Sequence, residues 1–171
     1  MNKYIYEKIV LTDSICDKII KNTELESCIE DNVSILLPLY PEESNKYYNI
    51  VNEITDIIIK NIVLYLNNIN YKTHYENLVQ TNMSIFILKK NTSNNKFKNE
   101  LVVFDRFNSY ILCIIFLNES TDSYIEFWNG YKVISEKGKI VLFPATWDFI
   151  YKHNPSILTD NYYIKTILYE Y

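Results

Sequence analysis

From Leu101 onward the chain alternates short apolar runs with turn residues. The runs are Leu101 to Phe104, Tyr110 to Leu117, Tyr124 to Trp128, Tyr131 to Ile134, Lys139 to Phe143, Asp148 to Tyr151 and Tyr162 to Tyr169. Runs this short, rich in Ile, Val, Phe and Tyr, predict strands. Asn129-Gly130 predicts a hairpin turn, because both residues tolerate a positive φ, and Lys137-Gly138 predicts another. Closely spaced strands of this kind predict an antiparallel β-barrel holding a small site in its mouth.

The first half follows a different period. Tyr4 to Leu11 alternates and predicts an edge strand. Thr12 or Asp13 can cap a helix to about Lys21, its side-chain oxygen accepting from free first-turn amides, with Ile15, Ile19 and Ile20 on the apolar face. Asn32 to Leu39 is a short apolar stretch interrupted by proline. After Pro41, Glu42 and Glu43 suit the start of the longest helix, which runs to about Leu66. Tyr47, Val51, Ile54, Ile58, Ile62 and Tyr65 recur every three or four residues and predict the face that covers the barrel sheet. Met83 to Leu88 predicts a strand, and Asn91 to Asn99 a polar loop. No repeat or linker divides the chain. The expectation is one domain over 1–171: a strand and helical layer over 1–82 and a β core over 83–171.

Composition narrows the class. The chain has 171 residues, 48% hydrophobic and 22% charged, enough for one globular core. The longest apolar run, Ile111 to Leu117, is too short to cross a bilayer, and the first ten residues do not resemble a secretory signal. A net charge of −4 with scattered lysines argues against a nucleic-acid partner. Cys16, Cys28 and Cys113 match no metal spacing and read as reduced thiols of an intracellular protein. Ile, Asn, Lys and Tyr abound, while Gly occurs twice and Arg once. That bias fits AT-rich codons, as in a large DNA virus, a phage or an AT-rich microbe. No Gly-x-Ser-x-Gly, glycine-rich phosphate loop or Cys-His pairing at a known spacing is present.

The segments IIFLN, IEFWN, KGKIVLFPATWDF and YYIKTILY resemble the 2-oxoglutarate and Fe(II)-dependent oxygenases of the prolyl-4-hydroxylase-like type, most of all the small viral and phage hydroxylases. VLTDSICDKII is similar to that family's opening strand and capped helix. The resemblance implies a double-stranded β-helix, a jelly roll, with helices packed on one sheet. It also implies iron held by a His-x-Asp pair at a strand end and a second His on a later strand. A basic residue would pair with the far carboxylate of 2-oxoglutarate. Laid on this chain, the carboxylate is Asp105 and the first histidine position is Val103. The second, four residues before Pro155, is Tyr151. The basic position is Tyr162. Val103 has no lone pair to give, and a phenol with a pKa near ~10 is a poor Fe(II) ligand at neutral pH.

The implied expectation is a family member that has lost catalysis, needs no cofactor and serves as a binding or structural module. Val103, Tyr151 and Tyr162 would make its barrel mouth apolar. Its partner would be an unidentified protein or a second copy, with neither nucleic acid nor membrane involved, inside the host or source cell or with a virion. The alternative is an active Fe(II)/2-oxoglutarate hydroxylase of a protein side chain with non-standard ligands. His153 lies two residues past Tyr151, so a strand would point it to the same side. It could then join Asp105 on a metal, with His74 as the third ligand. Arg106, the one arginine, could pair with Asp105 or Glu126, or meet a ligand. Trp128 and Trp147 read as packed in the barrel or at its rim, with substrate stacking as the other reading.

Overall fold

The strand pattern of the second half resolves into two antiparallel sheets packed face to face. The structure is a computed structural model that describes residues 4–24, 34–37, 47–70, 78–80, 83–88, 103–104, 107–146 and 149–170. Within these, the strands are β1 (Tyr6–Ile9), β2 (Ser34–Leu37), β3 (Leu78–Gln80), β4 (Met83–Leu88), β5 (Val103–Phe104), β6 (Phe107–Phe116), β7 (Ser120–Phe127), β8 (Lys132–Ser135), β9 (Lys139–Pro144), β10 (Tyr151–Asn154) and β11 (Asn161–Glu170). The helices are α1 (Asp13–Glu24) and α2 (Tyr48–Asn68). The large sheet runs β1-β9-β6-β11-β4-β2, with β3 added on β11 and β5 on β6; the small sheet is β10-β7-β8. From β6 on, the chain passes from large sheet to small and back: β6, then β7 and β8, then β9, β10 and β11. That winding is the double-stranded β-helix, and the fold is mainly β with a helical layer.

Alternation along the central strands explains why the layers hold together. In β6, Ile111, Cys113 and Ile115 join the core beneath the helices, while Leu112, Ile114 and Phe116 join the core between the sheets. In β9, Ile140 and Leu142 face the helices, and Val141 and Phe143 face the small sheet. The period of two thus sends neighbouring residues into two different interiors. Strands buried on both faces read as continuous apolar runs, as Ile111 to Leu117 does.

The helices supply the outer core. Thr12 caps α1: its hydroxyl oxygen accepts from the Ile15 amide at 3.4 Å, and its carbonyl accepts from the Cys16 amide at 3.1 Å. Cys16 and Ile19 are fully buried, with Ile15 and Ile20 at the margin of the same core. Helix α2 begins at Tyr48, with Tyr47 as its N-cap and no side-chain cap. The expected start at Glu42 and Glu43 lies outside the described residues. Its predicted stripe, Tyr47, Val51, Ile54, Ile58, Ile62 and Tyr65, is buried throughout against the large sheet. Strand β1 is an edge strand as expected, paired with β9.

The small sheet differs from expectation. The strand expected over Asp148 to Tyr151 is instead Tyr151–Asn154, paired with β7 from Phe127 to Tyr124. Its polar sequence, YKHN, conceals it: Tyr151 and His153 face inward, and Lys152 pairs with Glu126 on the outer face at 2.9 Å. In the β7–β8 turn only Gly130 takes a positive φ, +81°; Asn129 does not. Its side-chain oxygen accepts from the Tyr131 amide at 3.0 Å instead.

Two links fasten the N-terminal segment to the barrel. The Gly138 carbonyl accepts from the Val10 and Leu11 amides, and the Gly138 amide donates to Phe116. At φ +78° this glycine sits so close to the Leu11 carbonyl that a Cβ would collide with it. Glu7 on β1 accepts from the Tyr131 hydroxyl at 2.6 Å and from Lys139 at 3.4 Å, and Lys139 also meets Glu136. The bond to Glu7 pushes the Tyr131 phenol up to about 12. Among the described residues no helix is long and apolar enough to cross a membrane.

Candidate functional site

The space between the sheets is where this fold holds a small site, and here aromatic side chains occupy it. Tyr151 on β10 is 2% exposed and meets Phe143 of β9 edge-on, ring centroids 5.1 Å apart. Phe143 in turn meets Phe127 of β7 edge-on at 4.9 Å. Two residues along β10, His153 is 3% exposed and lies between Phe116 of β6 at 6.0 Å and Tyr163 of β11 at 4.8 Å. Edge-to-face rings are the favoured aromatic geometry, so the lining is a packed array. The expectation that His153 shares a side with Tyr151 matches this burial.

Strand β11 corrects the expected lining. Tyr162 is half-buried against the core under the helices, to which the buried Ile164 and Leu168 belong, while Tyr163 and Ile167 belong to the core between the sheets. Tyr162 therefore does not share the interior with Tyr151; its neighbour Tyr163 does. The resemblance places the basic residue by its spacing to the Tyr-Ile step, and that spacing cannot tell one face of a strand from the other. The register position between Tyr163 and Ile167 on the interior face is Lys165, half-buried. No sequence motif pointed to it, and strand parity alone would have found it.

Val103 lies in β5, paired with Asn108 of β6. Asp105, Arg106, Trp147, His74 and Cys28 lie outside the described residues. Glu126 pairs with Lys152, which holds its carboxyl below the usual range. Trp128 is 61% exposed at the β7–β8 turn, so it is a rim residue. Cys16 and Cys113 are buried free thiols, and burial pushes both up, Cys16 to about 11.

At the opposite end from β5, Asp122 ties β7 to the loop before β11. It accepts from the hydroxyls of Ser120, at 2.6 Å, and Ser156, and from the Ile157 amide at 2.9 Å. Together these hold its carboxyl down at about 2. A shallow depression of about 380 Å³ lies beside it, lined by Glu119, Ser120, Thr121, Asp122, Leu158 and Thr159.

The layered β-helix with its helical cover is the fold of the prolyl-4-hydroxylase-like 2-oxoglutarate oxygenases. Viral collagen prolyl hydroxylase from Paramecium bursaria Chlorella virus-1, in a truncated form, superposes with a TM-score of 0.73 at 12% identity, over 98% of this chain and 91% of that one. The prolyl-4-hydroxylase of Pseudomonas putida superposes with a TM-score of 0.67 at 8% identity, over 98% and 93%. A Trichoplax adhaerens prolyl hydroxylase, solved with a hypoxia inducible factor peptide, gives 0.66 at 7%, over 99% and 84%. No protein-family model and no curated protein sequence matches the chain.

At the positions that the resemblance gives to the two histidine ligands of Fe(II), the side chains present are not suited to that ion. Val103 is an isopropyl group. Tyr151 offers a phenol, its ring set edge-on against Phe143 inside the core. Among the described residues, no three His, Cys, Asp or Glu side chains come together to hold a metal ion.

Proposed function

We propose that this chain is a non-catalytic relative of the prolyl-4-hydroxylase-like oxygenases, acting as a binding or structural module inside the cell. The observation that carries the reading is Tyr151. By the resemblance it takes the place of the second histidine, and it packs edge-on in an aromatic array with Phe143 and Phe127. A side chain packed in this way serves the stability of the barrel, as a core aromatic does. The partner is a protein or a second copy of the chain, and the viral character of one similar structure accords with an origin in a virus.

One observation favours the alternative of an active hydroxylase with unusual ligands: His153 is turned inward on the same face of β10 as Tyr151. Titration with Fe(II) and Mn(II), followed by an assay for succinate formed from 2-oxoglutarate, separates the two readings. The non-catalytic reading expects no saturable metal binding in the micromolar range and no succinate. Micromolar binding that is lost in Asp105→Ala, or any 2-oxoglutarate turnover, overturns it.

A further inference from the structure

The β7–β8 turn is set up for a reaction that none of the functional readings uses. Asn129-Gly130 is the one Asn-Gly step in the sequence. Both residues are exposed at the tip of the turn. The Asn129 side-chain oxygen accepts from the Tyr131 amide at 3.0 Å, which holds the side chain back along its own backbone and polarises its carbonyl. Gly130 has open space around the position of an absent Cβ, so no side chain of its own or of a distant neighbour crowds this step of the turn.

From these observations we infer that Asn129-Gly130 is a self-modifying site that converts to aspartate and isoaspartate with water as the sole co-reactant. The Gly130 amide nitrogen, giving its proton to solvent, attacks Cγ of Asn129. The new C–N bond closes a succinimide as the Cγ–Nδ2 bond breaks, and the amide leaves as ammonia with a proton from water. Water then opens the ring at either carbonyl, yielding aspartate or isoaspartate at position 129. Nothing is oxidised or reduced.

The turn also sets the rate-limiting event. The Gly130 amide donates to the Phe127 carbonyl at 2.9 Å, and that bond must open before attack. Isoaspartate carries one more backbone carbon. It would spoil the adjoining pair in which the Phe127 amide donates to the Tyr131 carbonyl at 2.9 Å, and with it the placing of the Tyr131 hydroxyl on Glu7. The modification therefore loosens the link between the small sheet and β1.

The test is a time course of the folded, full-length chain in warm, mildly alkaline water enriched in heavy oxygen, read by peptide mass mapping that separates aspartate from isoaspartate. Conversion at residue 129 is expected to outrun that at every other asparagine. The product should carry one heavy oxygen, and hydrogen exchange at Phe127 and Tyr131 should quicken in the converted fraction. Asn129→Gln should lose the reaction. An intact Asn129 while other asparagines convert, or conversion seen only after unfolding in urea, overturns the inference. The wild-type time course decides this even if the variant fails to fold.

Discussion

A methyl group added at Gly138 would enter the space of the Leu11 carbonyl oxygen, on a backbone at φ +78° that L-residues avoid. Gly138→Ala is expected to cost about 2–4 kcal/mol, the sum of a left-handed penalty and a steric one, as a lower urea midpoint. Gly130→Ala meets open space at a similar φ and should cost only the conformational share, about 1–2 kcal/mol. Asp122 gives a pH prediction. Its folded pKa of about 2 lies below the unfolded value near ~3.9. Its contribution is therefore complete above about pH 4 and fades as pH falls through about 2. Asp122→Asn should remove on the order of 1 kcal/mol near neutral pH, after allowance for solvent screening. The gap between wild type and variant should close in acid unfolding curves. At this scale the sequence was partly legible: Gly138 was visible as a turn, but not the carbonyl that crowds it.

Helix α2 and strand β10 mark the two limits of legibility among the elements. The stripe of α2 repeats over many residues, so its buried face was readable from Tyr47 to Tyr65. Ile58→Ala, at a fully buried position in that stripe, should cost about 2–5 kcal/mol in chemical denaturation. Strand β10 has four residues, two of them polar and turned outward, and its identity depends on β7 alongside it. No local pattern announces a strand whose partner supplies the reason for its existence. Within it, Tyr151→Ala should cost about 3–5 kcal/mol, whereas Lys152→Ala, which breaks a pair at the outer face, should cost under about 1 kcal/mol. A large effect at Lys152 and a small one at Tyr151 would contradict the assigned faces.

For the molecule as a whole, the jelly roll was legible through the resemblance carried by segments such as KGKIVLFPATWDF, and the dense turn signals and apolar runs of the second half accord with it. The site was less so. Motif spacing pointed to Tyr151, which faces the interior, and to Asp105, which lies outside the described residues, but the direction of a side chain on β11 depends on register, and one residue of register exchanges Tyr162 for Tyr163. The filled interior makes a prediction at this scale. Adding 2-oxoglutarate with Mn(II) should leave the melting temperature unchanged, since only a ligand of the folded state raises it. A saturable upward shift in a thermal scan would show that the aromatic array yields to an occupant.

Strands β6 and β9 divide their side chains between two interiors. Substitutions at Ile114, Phe116 or Phe143 alter the chamber between the sheets and leave untouched the residues that seat the helices. A lineage with such a partition can discard the chemistry of one compartment while the other still secures folding. The same partition gives an engineer a starting point: the chamber can be hollowed out and given new donors without redesigning the outer layer.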